Sequence, residues 1–303
     1  MIEMSVKIGN IEAKNPLFTA SGTFGYGSEI SDLYDVNILG GIVTKTITRT
    51  PRIGNPPQRV VETTAGMLNS IGLANVGIDK FITDKMNFLK GLSTNVIVNI
   101  AGESEEDFLY LVDMLEDQEG IAAYELNLSC PNVSGGLDFS VNPNLASKIV
   151  EKVKSRTKRP VIPKLTPNVT DIKSIAKAVE DGGADAISLI NTLLGMAVDI
   201  KKRKPVLGNV MGGLSGPAIK PVALAKVYQV YNTVNIPIMG IGGISNANDV
   251  IEFLLCGAAA VQLGTINFVE PTIPIEILKE LETYLENNSI NSVKDLTGSL
   301  RTE

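Results

Sequence analysis

One segment of the sequence combines a thiol with side-chain amides, residue types that can transfer protons and bind a polar ligand. It is 127–132, Asn-Leu-Ser-Cys-Pro-Asn, and it follows an apolar run over 122–126 that we interpret as a buried strand. The chain contains no histidine, so the usual proton carrier near neutral pH is missing. Acid–base catalysis must therefore use a cysteine, a lysine, a carboxylate or a tyrosine. Cys130 is the leading candidate for a catalytic base.

Lysines are also placed where chemistry is expected. Lys45 and Lys164 each interrupt or close an otherwise apolar run that we interpret as a strand. Burial of an ammonium group is costly unless an anion or an electron-rich ligand compensates its charge. Neither run contains a carboxylate. We therefore favour ligand-binding lysines over lysines held in structural ion pairs.

Polar residues and glycines follow nearly every predicted strand at the same end, which in a parallel barrel is one rim. They are Ser21, Lys45, Thr46, Asn99, Asn127, Lys164, Asn191, Thr192, Gly242, Gly243, Gly264 and Thr265. Glycine-rich turns at 240–245 and 261–265 are typical of phosphate binding by backbone N–H groups, although tight turns without a ligand are the alternative. The segment 69–73, Asn-Ser-Ile-Gly-Leu, could bind a planar ligand that carries carbonyl and carboxylate oxygens. A single site with a phosphorylated cofactor is the simplest interpretation.

Repeated βα units must position these residues, because short β-branched runs alternate with amphipathic segments along the chain. The predicted strands are Leu17–Ala20, Gly41–Thr44, Asn95–Ile100, Ala122–Leu128, Val161–Leu165, Ala186–Ile190, Ile236–Ile241 and Ala259–Leu263. The predicted helices are Glu105–Leu115, Pro143–Val153, Asp171–Glu180, Pro221–Tyr231 and Asn246–Leu255. About eight units predict an α/β fold of the (β/α)8 TIM barrel type. We expect an N-terminal hairpin over 5–13 at the barrel floor and long loops over 47–78 and 191–220.

Composition narrows the function further. The 303 residues carry 33 acidic and 27 basic side chains, and the net charge of -6 disfavours binding to nucleic acid or to an anionic membrane. No signal peptide or membrane-spanning segment is evident, so we expect a soluble cytoplasmic protein. No linker divides 1–303, which predicts a single domain. The two cysteines cannot supply the four thiolates of a typical iron–sulfur cluster, and no metal site is predicted.

Taken together, these motifs resemble the dihydroorotate dehydrogenases, flavin enzymes of pyrimidine (UMP) biosynthesis, over nearly the whole chain. The most specific elements are Lys45-Thr46, the segments 69–73 and 127–132, Gly213-Leu214-Ser215-Gly216-Pro217 and the paired glycine turns. Two features resemble class 1 of this family. The candidate base is a cysteine rather than a serine, and the sequence begins close to the first barrel strand. The turn 131–137 is more similar to the NAD⁺-dependent subclass 1B than to the fumarate-dependent subclass 1A.

The resemblance implies a role for each matching residue. FMN would contact Ser21, Lys45, Thr46, Asn99, Asn127, Lys164, Ile190, Gly216, Gly242, Gly243, Gly264 and Thr265. The pyrimidine would contact Lys45, Asn69, Ser70, Ile71, Gly72, Leu73, Asn127, Asn191 and Thr192. Cys130 would remove the proton from C5 of (S)-dihydroorotate while hydride leaves C6 for flavin N5. Lys164 would stabilise the reduced, anionic ring. Apart from the resemblance, the segment 131–140 contains glycine and directly follows Cys130, so we expect a lid that closes over the substrate, with a static loop as the alternative.

Subclass 1B also implies partners. A homodimer of this chain would associate, in a heterotetramer, with a subunit that carries FAD and a [2Fe–2S] cluster, and electrons would pass to NAD⁺. The alternatives are a stand-alone fumarate-dependent enzyme of the 1A type, another FMN-dependent dihydropyrimidine dehydrogenase, or a module that binds a flavin or pyrimidine without turnover.

Overall fold

A closed barrel of parallel strands forms the centre of the computed structural model. Residues 2–129 and 139–302 are described, and within them the barrel has eight strands. They are β1 (Leu17–Thr19), β2 (Gly41–Val43), β3 (Asn95–Ile100), β4 (Ala123–Asn127), β5 (Val161–Leu165), β6 (Ile187–Leu189), β7 (Ile238–Ile241) and β8 (Ala260–Leu263). Each strand pairs with its neighbours in the chain, and β8 pairs with β1. The predicted TIM barrel is confirmed, and the strand ends lie within two residues of the predicted ends.

Helices surround the barrel and connect its strands. They are α1 (Gly77–Lys80), α2 (Met86–Lys90), α3 (Glu105–Glu116), α4 (Pro143–Lys154), α5 (Ile172–Asp181), α6 (Lys220–Tyr231), α7 (Ala247–Leu255), α8 (Ile266–Val269) and α9 (Ile273–Asn287). A π-helical segment, Phe81–Lys85, joins α1 to α2, and 3₁₀ turns span Val36–Ile38, Pro217–Ile219 and Val293–Leu296. The five predicted helices agree with α3 to α7 to within one residue at each end.

Several of these helices begin at residues that suit a helix start. Ser104, Asn142, Asp171 and Asn246 each accept a hydrogen bond from a backbone N–H in the first turn of α3, α4, α5 and α7 respectively. Such side chains satisfy backbone donors that have no partner within the helix. Local sequence therefore determines where these helices begin. It also determines where the loop before each helix ends.

The sequence patterns did not predict α1, α2, α8 and α9. The π-helical segment shifts the helical period between α1 and α2, and α8 has only four residues, so neither region carries a sustained 3.6-residue pattern. In α9 the pattern is present, because Ile277, Leu281 and Leu285 are buried at a spacing of four residues. The sequence after β8 therefore carries a helical signal for α9.

The two predicted long loops contain strands of their own, which meet in an antiparallel sheet above the carboxyl ends of the barrel strands. Its strands are Val60–Thr63, Gly66–Asn69, Leu193–Met196 and Met211–Ser215, and a small ribbon pairs Val198–Asp199 with Lys204–Pro205. Asn69 is aligned with Gly213 in this sheet. The sheet therefore brings the segment that starts at Asn69 to the loop that follows β6.

The predicted N-terminal hairpin is present at the opposite end of the barrel. Val6–Ile8 pairs with Ile11–Ala13, and Asn95, at the start of β3, donates from Nδ2 to the Glu12 carbonyl at 3.0 Å. The alternating burial of these strands indicates that one face packs on the barrel core. Among the described residues, no helix combines the length and apolar character needed to cross a bilayer.

Candidate functional site

A cavity of about 1160 Å³ lies at the carboxyl ends of the barrel strands, partly covered by the antiparallel loop sheet. Every predicted site residue that the structure describes lines it. These are Ser21, Lys45, Thr46, Asn69, Ser70, Ile71, Gly72, Leu73, Asn99, Asn127, Lys164, Ile190, Asn191, Thr192, Gly216, Gly242, Gly243, Gly264 and Thr265. Cys130 and residues 131–138 of the expected lid lie outside the described residues. Ser129, the neighbour of Cys130, lines the cavity.

Lys164 has a carboxylate neighbour that the sequence did not predict. Its Nζ lies 3.9 Å from Oε2 of Glu125, and both side chains are buried. The preference for ligand binding over a structural ion pair rested on the absence of a carboxylate from each lysine's own run, and for Lys164 a carboxylate from another strand is close. The run over 122–126 is apolar except for Glu125, and this carboxylate lies outside the lysine's own strand. In a parallel barrel the partner can come from the neighbouring strand, here β4 beside β5.

Lys45 has a different environment. Burial lowers the pKa of the Lys45 ammonium group from its usual value near 10.5, since a low-dielectric environment disfavours the charged form. Among residues 2–129 and 139–302, no carboxylate forms an ion pair with this lysine. Lys45 thus offers a partly desolvated positive charge to an anionic ligand in the cavity.

We predict that Lys45→Met raises the melting temperature of the ligand-free chain at pH 7. Because the pKa is lowered on folding, the unfolded chain binds more protons between the lowered pKa and 10.5, and wild-type stability rises with pH across that window. Methionine removes both the charge cost and this rise. Thermal unfolding against pH tests the prediction, with the exposed Lys158→Met as a control of equal charge change. A lower melting temperature for Lys45→Met alone would contradict it.

Side-chain amides form one wall of the cavity. Asn191 donates from Nδ2 to Oδ1 of Asn127 at 3.4 Å, and the same oxygen accepts from the Ser129 N–H at 3.2 Å. The Thr192 N–H donates to Oδ1 of Asn191 at 2.8 Å. These contacts order the ends of β4 and β6 against each other. The wall therefore presents uncharged hydrogen-bonding groups beside two ammonium groups, which suits a planar polar ligand with a negative charge.

The segment 69–73 is held by contacts across the loop sheet. Asn69 donates from Nδ2 to the Gly213 carbonyl at 3.3 Å, and Asn55 donates from Nδ2 to Oγ of Ser70 at 2.9 Å. A Cβ on Gly213 would lie 2.0 Å from Oγ1 of Thr192. Only glycine at 213 therefore allows this part of the loop over 191–220 to pass so close to Thr192 beside the cavity.

The glycine turns after β7 and β8 surround another part of the cavity. Gly243 has φ +73, and a Cβ there would lie 2.8 Å from the Gly216 carbonyl oxygen. Asp249 supports this turn, because Oδ2 accepts from the Ser245 N–H at 2.7 Å while Oδ1 accepts from Lys220 Nζ at 2.5 Å. Gly264 differs, since among the atoms of residues 2–129 and 139–302 its hypothetical Cβ would have only the Ala20 Cβ nearby, at 3.7 Å. A side chain at 264 would therefore occupy cavity space, which fits a site built to admit a ligand there.

Comparison with known proteins agrees with this geometry. The family model for dihydroorotate dehydrogenase matches residues 3–285. This chain belongs to the dihydroorotate dehydrogenase family. Proteins named dihydroorotate dehydrogenase B (NAD(+)), catalytic subunit, are similar to it at full length: that of Desulforamulus reducens is 54% identical with 98% of each chain covered, and that of Geotalea uraniireducens is 51% identical with 99% covered. A relative from Bacteroides thetaiotaomicron with the same name is 48% identical over 99% of each chain. The predicted resemblance to the 1B catalytic subunits is confirmed.

In this dihydroorotate dehydrogenase, two further residues that the sequence motifs did not predict line the cavity. Asn168 lines the cavity, donates from Nδ2 to the Thr192 carbonyl at 2.9 Å and accepts from the Leu194 N–H at 3.0 Å. Ser215 also lines it and accepts a hydrogen bond at Oγ from Thr265 at 2.8 Å. Asn168 lies three residues after the end of β5, and this position after a barrel strand could have predicted that it lines the site. Ser215 lies within the quoted motif 213–217.

Proposed function

We propose that this chain oxidises (S)-dihydroorotate to orotate in UMP biosynthesis, as the FMN-binding catalytic subunit of an NAD⁺-dependent enzyme. The observation that carries the proposal is the single cavity in which Lys45, Lys164 and the segment 69–73 converge, in a chain of this family. The relatives' names supply NAD⁺ as the acceptor and indicate a partner subunit.

The cavity fits FMN on its own geometry. Its volume of about 1160 Å³ admits a cofactor and a small substrate together, and the glycine turns after β7 and β8 stand where barrels bind phosphate. When bound, FMN supplies a ring that accepts two electrons and a proton as hydride. The residues proposed to hold it are Ser21, Lys45, Thr46, Asn99, Asn127, Lys164, Ile190, Gly216, Gly242, Gly243, Gly264 and Thr265.

The substrate is proposed to lie between the amide wall and the loop sheet. Its contacts are Lys45, Asn69, Ser70, Ile71, Gly72, Leu73, Asn127, Asn191 and Thr192. Lys45 neutralises the substrate carboxylate, and the amides fix the ring by hydrogen bonds that add no charge. Cys130 accepts the C5 proton, a role that its position directly after the cavity-lining Ser129 supports. Lys164 supplies positive charge where electron density increases during the reaction.

Electrons must leave this chain, and its two cysteines cannot ligate an iron–sulfur cluster of four thiolates. A partner subunit with FAD and a [2Fe–2S] cluster, in a heterotetramer around a homodimer of this chain, is proposed to pass them to NAD⁺. The fumarate-dependent 1A reaction is the competing function. No fumarate-supported turnover by the isolated chain, together with NAD⁺ reduction when the partner is added, is the outcome that favours 1B.

The proposal is tested by anaerobic absorbance of the purified chain, first alone and then with dihydroorotate. We expect a bound-flavin spectrum that bleaches rapidly on addition of substrate, with orotate formed in equal amount. A flavin that stays oxidised would overturn the substrate assignment. A chain that retains no flavin when reconstituted with FMN would overturn the cofactor assignment.

Gly264→Val provides a separate test of the cofactor site. We expect FMN affinity to fall at least about tenfold, because the new side chain occupies cavity space and removes favourable contacts, whereas the melting temperature of the ligand-free chain stays close to that of wild type. Fluorescence titration of the apoprotein with FMN gives the affinity. Gly91→Val, at the exposed end of α2 and away from the cavity, is the control. Equal FMN affinity in the two variants would place the cofactor elsewhere.

A further inference from the structure

A buried carboxylate lies beneath the cavity, and none of the roles proposed above uses it. Glu125 is 0% exposed. Its Oε2 accepts from Nδ2 of Asn99 at 2.5 Å, and its Oε1 accepts from Nε2 of Gln262 at 2.7 Å. Glu125 is on β4 and Gln262 is on β8, on the opposite side of the closed barrel. The carboxylate is therefore held in one position from two sides of the barrel interior.

The separation between Glu125 and Lys164 has a particular consequence. At 3.9 Å, Oε2 is too far from Nζ for a hydrogen bond, but at this distance the two charges still attract strongly in a buried environment. Within the described residues, Lys164 donates no hydrogen bond to another side chain or to the backbone. Glu125 thus compensates the charge of Lys164 and leaves its N–H donors available to a ligand.

Glu125 also orients Asn99. Because Nδ2 of Asn99 donates to the carboxylate, Oδ1 is the atom of that amide left for another partner, and in the described part of the chain it has none. Asn99 lines the cavity. The Glu125 carboxylate therefore has two effects. It offsets the positive charge of Lys164, and it orients the Asn99 amide so that Oδ1 is left as a hydrogen-bond acceptor.

We propose that Glu125 is a positioning residue that sets the reduction potential of the bound flavin by opposing the charge of Lys164 while holding Asn99 as an acceptor. This inference rests on the proposed function, since it requires FMN in the cavity. An ammonium group near the ring favours the reduced, more negative form, and a carboxylate fixed beside that ammonium weakens the effect. The carboxylate would keep the flavin reducing enough to pass its electrons onward.

The decisive variant is Glu125→Gln, which keeps the side-chain shape and removes the charge. We expect the midpoint potential of the FMN-loaded chain to become more positive, with the reduction equilibrium shifted roughly tenfold toward reduced flavin. Gln262→Met is the matched control, because it removes one hydrogen bond to Glu125 and leaves both charges in place. Its potential should equal that of wild type. Dye-equilibrated spectroscopic titration measures all of these potentials.

Glu125→Asp keeps the carboxylate but withdraws it toward β4. The midpoint potential of the flavin in this variant should therefore lie between the values for wild type and Glu125→Gln. If Glu125→Gln retains no FMN, the aspartate variant decides: a positive shift supports the inference, and an unchanged potential overturns it. An unchanged potential in Glu125→Gln, or an equal shift in Gln262→Met, also overturns it. A wild-type chain that fails to bleach with dihydroorotate would instead defeat the proposed function, so the two failures are distinguishable.

Discussion

Replacement of Cys130 by serine is expected to slow flavin reduction by dihydroorotate about 10²–10⁴-fold, the usual effect of losing a positioned base. A serine hydroxyl has nearly the same shape as the thiol but ionises far less readily, so FMN and substrate should still bind. Anaerobic stopped-flow absorbance measures the rate directly. The chain contains no histidine that could replace the base.

A second thiol in the same chain supplies the control. Cys256 follows α7, is partly buried, and has its pKa raised mainly by burial, so it is not suited to act as a base. Cys256→Ser should reduce its flavin at the wild-type rate. If Cys130→Ser did so as well, the base would have to be another residue.

The pH dependence of the same reaction gives an independent check. A free thiol has a pKa of about 8.5, and only its thiolate form accepts a proton. The rate of flavin reduction in wild type should therefore rise with pH as Cys130 ionises, and this rise should be absent in Cys130→Ser. A rise that persists unchanged in the variant would assign it to a different group.

Lys164→Met is expected to lower the free energy of unfolding of the ligand-free chain by about 3 kcal/mol, because it leaves the Glu125 carboxylate buried without its compensating charge. The double variant with Glu125→Gln should recover most of this loss, since contacting charges are not additive. Urea unfolding of wild type, Lys164→Met, Glu125→Gln and the double variant gives the coupling free energy between Lys164 and Glu125.

An exposed lysine serves as the reference for this cycle. Lys177 pairs with Glu180 and Asp181 on the surface of α5, where solvent screens the charges. Lys177→Met should leave the unfolding midpoint almost unchanged. Two results would show that Glu125 and Lys164 do not form a stabilising pair. One is an unfolding midpoint of Lys164→Met equal to that of wild type, and the other is a double variant that loses the sum of the two single-variant losses in unfolding free energy.

Much of the barrel follows from local sequence patterns. β3 and β5 were predicted with correct ends, and α3 to α7 to within one residue, because apolar periodicity and capping residues act over short distances along the chain. The residues at the carboxyl-end rim of the barrel could be predicted once the strands were known. In a parallel barrel every strand ends at the same rim, so residues such as Asn99 and Thr265 had to converge once the strands were known.

What only the tertiary structure decided depends on pairing between distant segments. The loop sheet joins Asn69 to Gly213, 144 residues apart, and nothing local in either long loop specifies that partner. The contact between Glu125 and Lys164 likewise depends on the register of β4 against β5. A single sequence records which residues a strand carries. Which side chain faces which across two strands is set by register and barrel closure, and therefore by the packing of the whole chain.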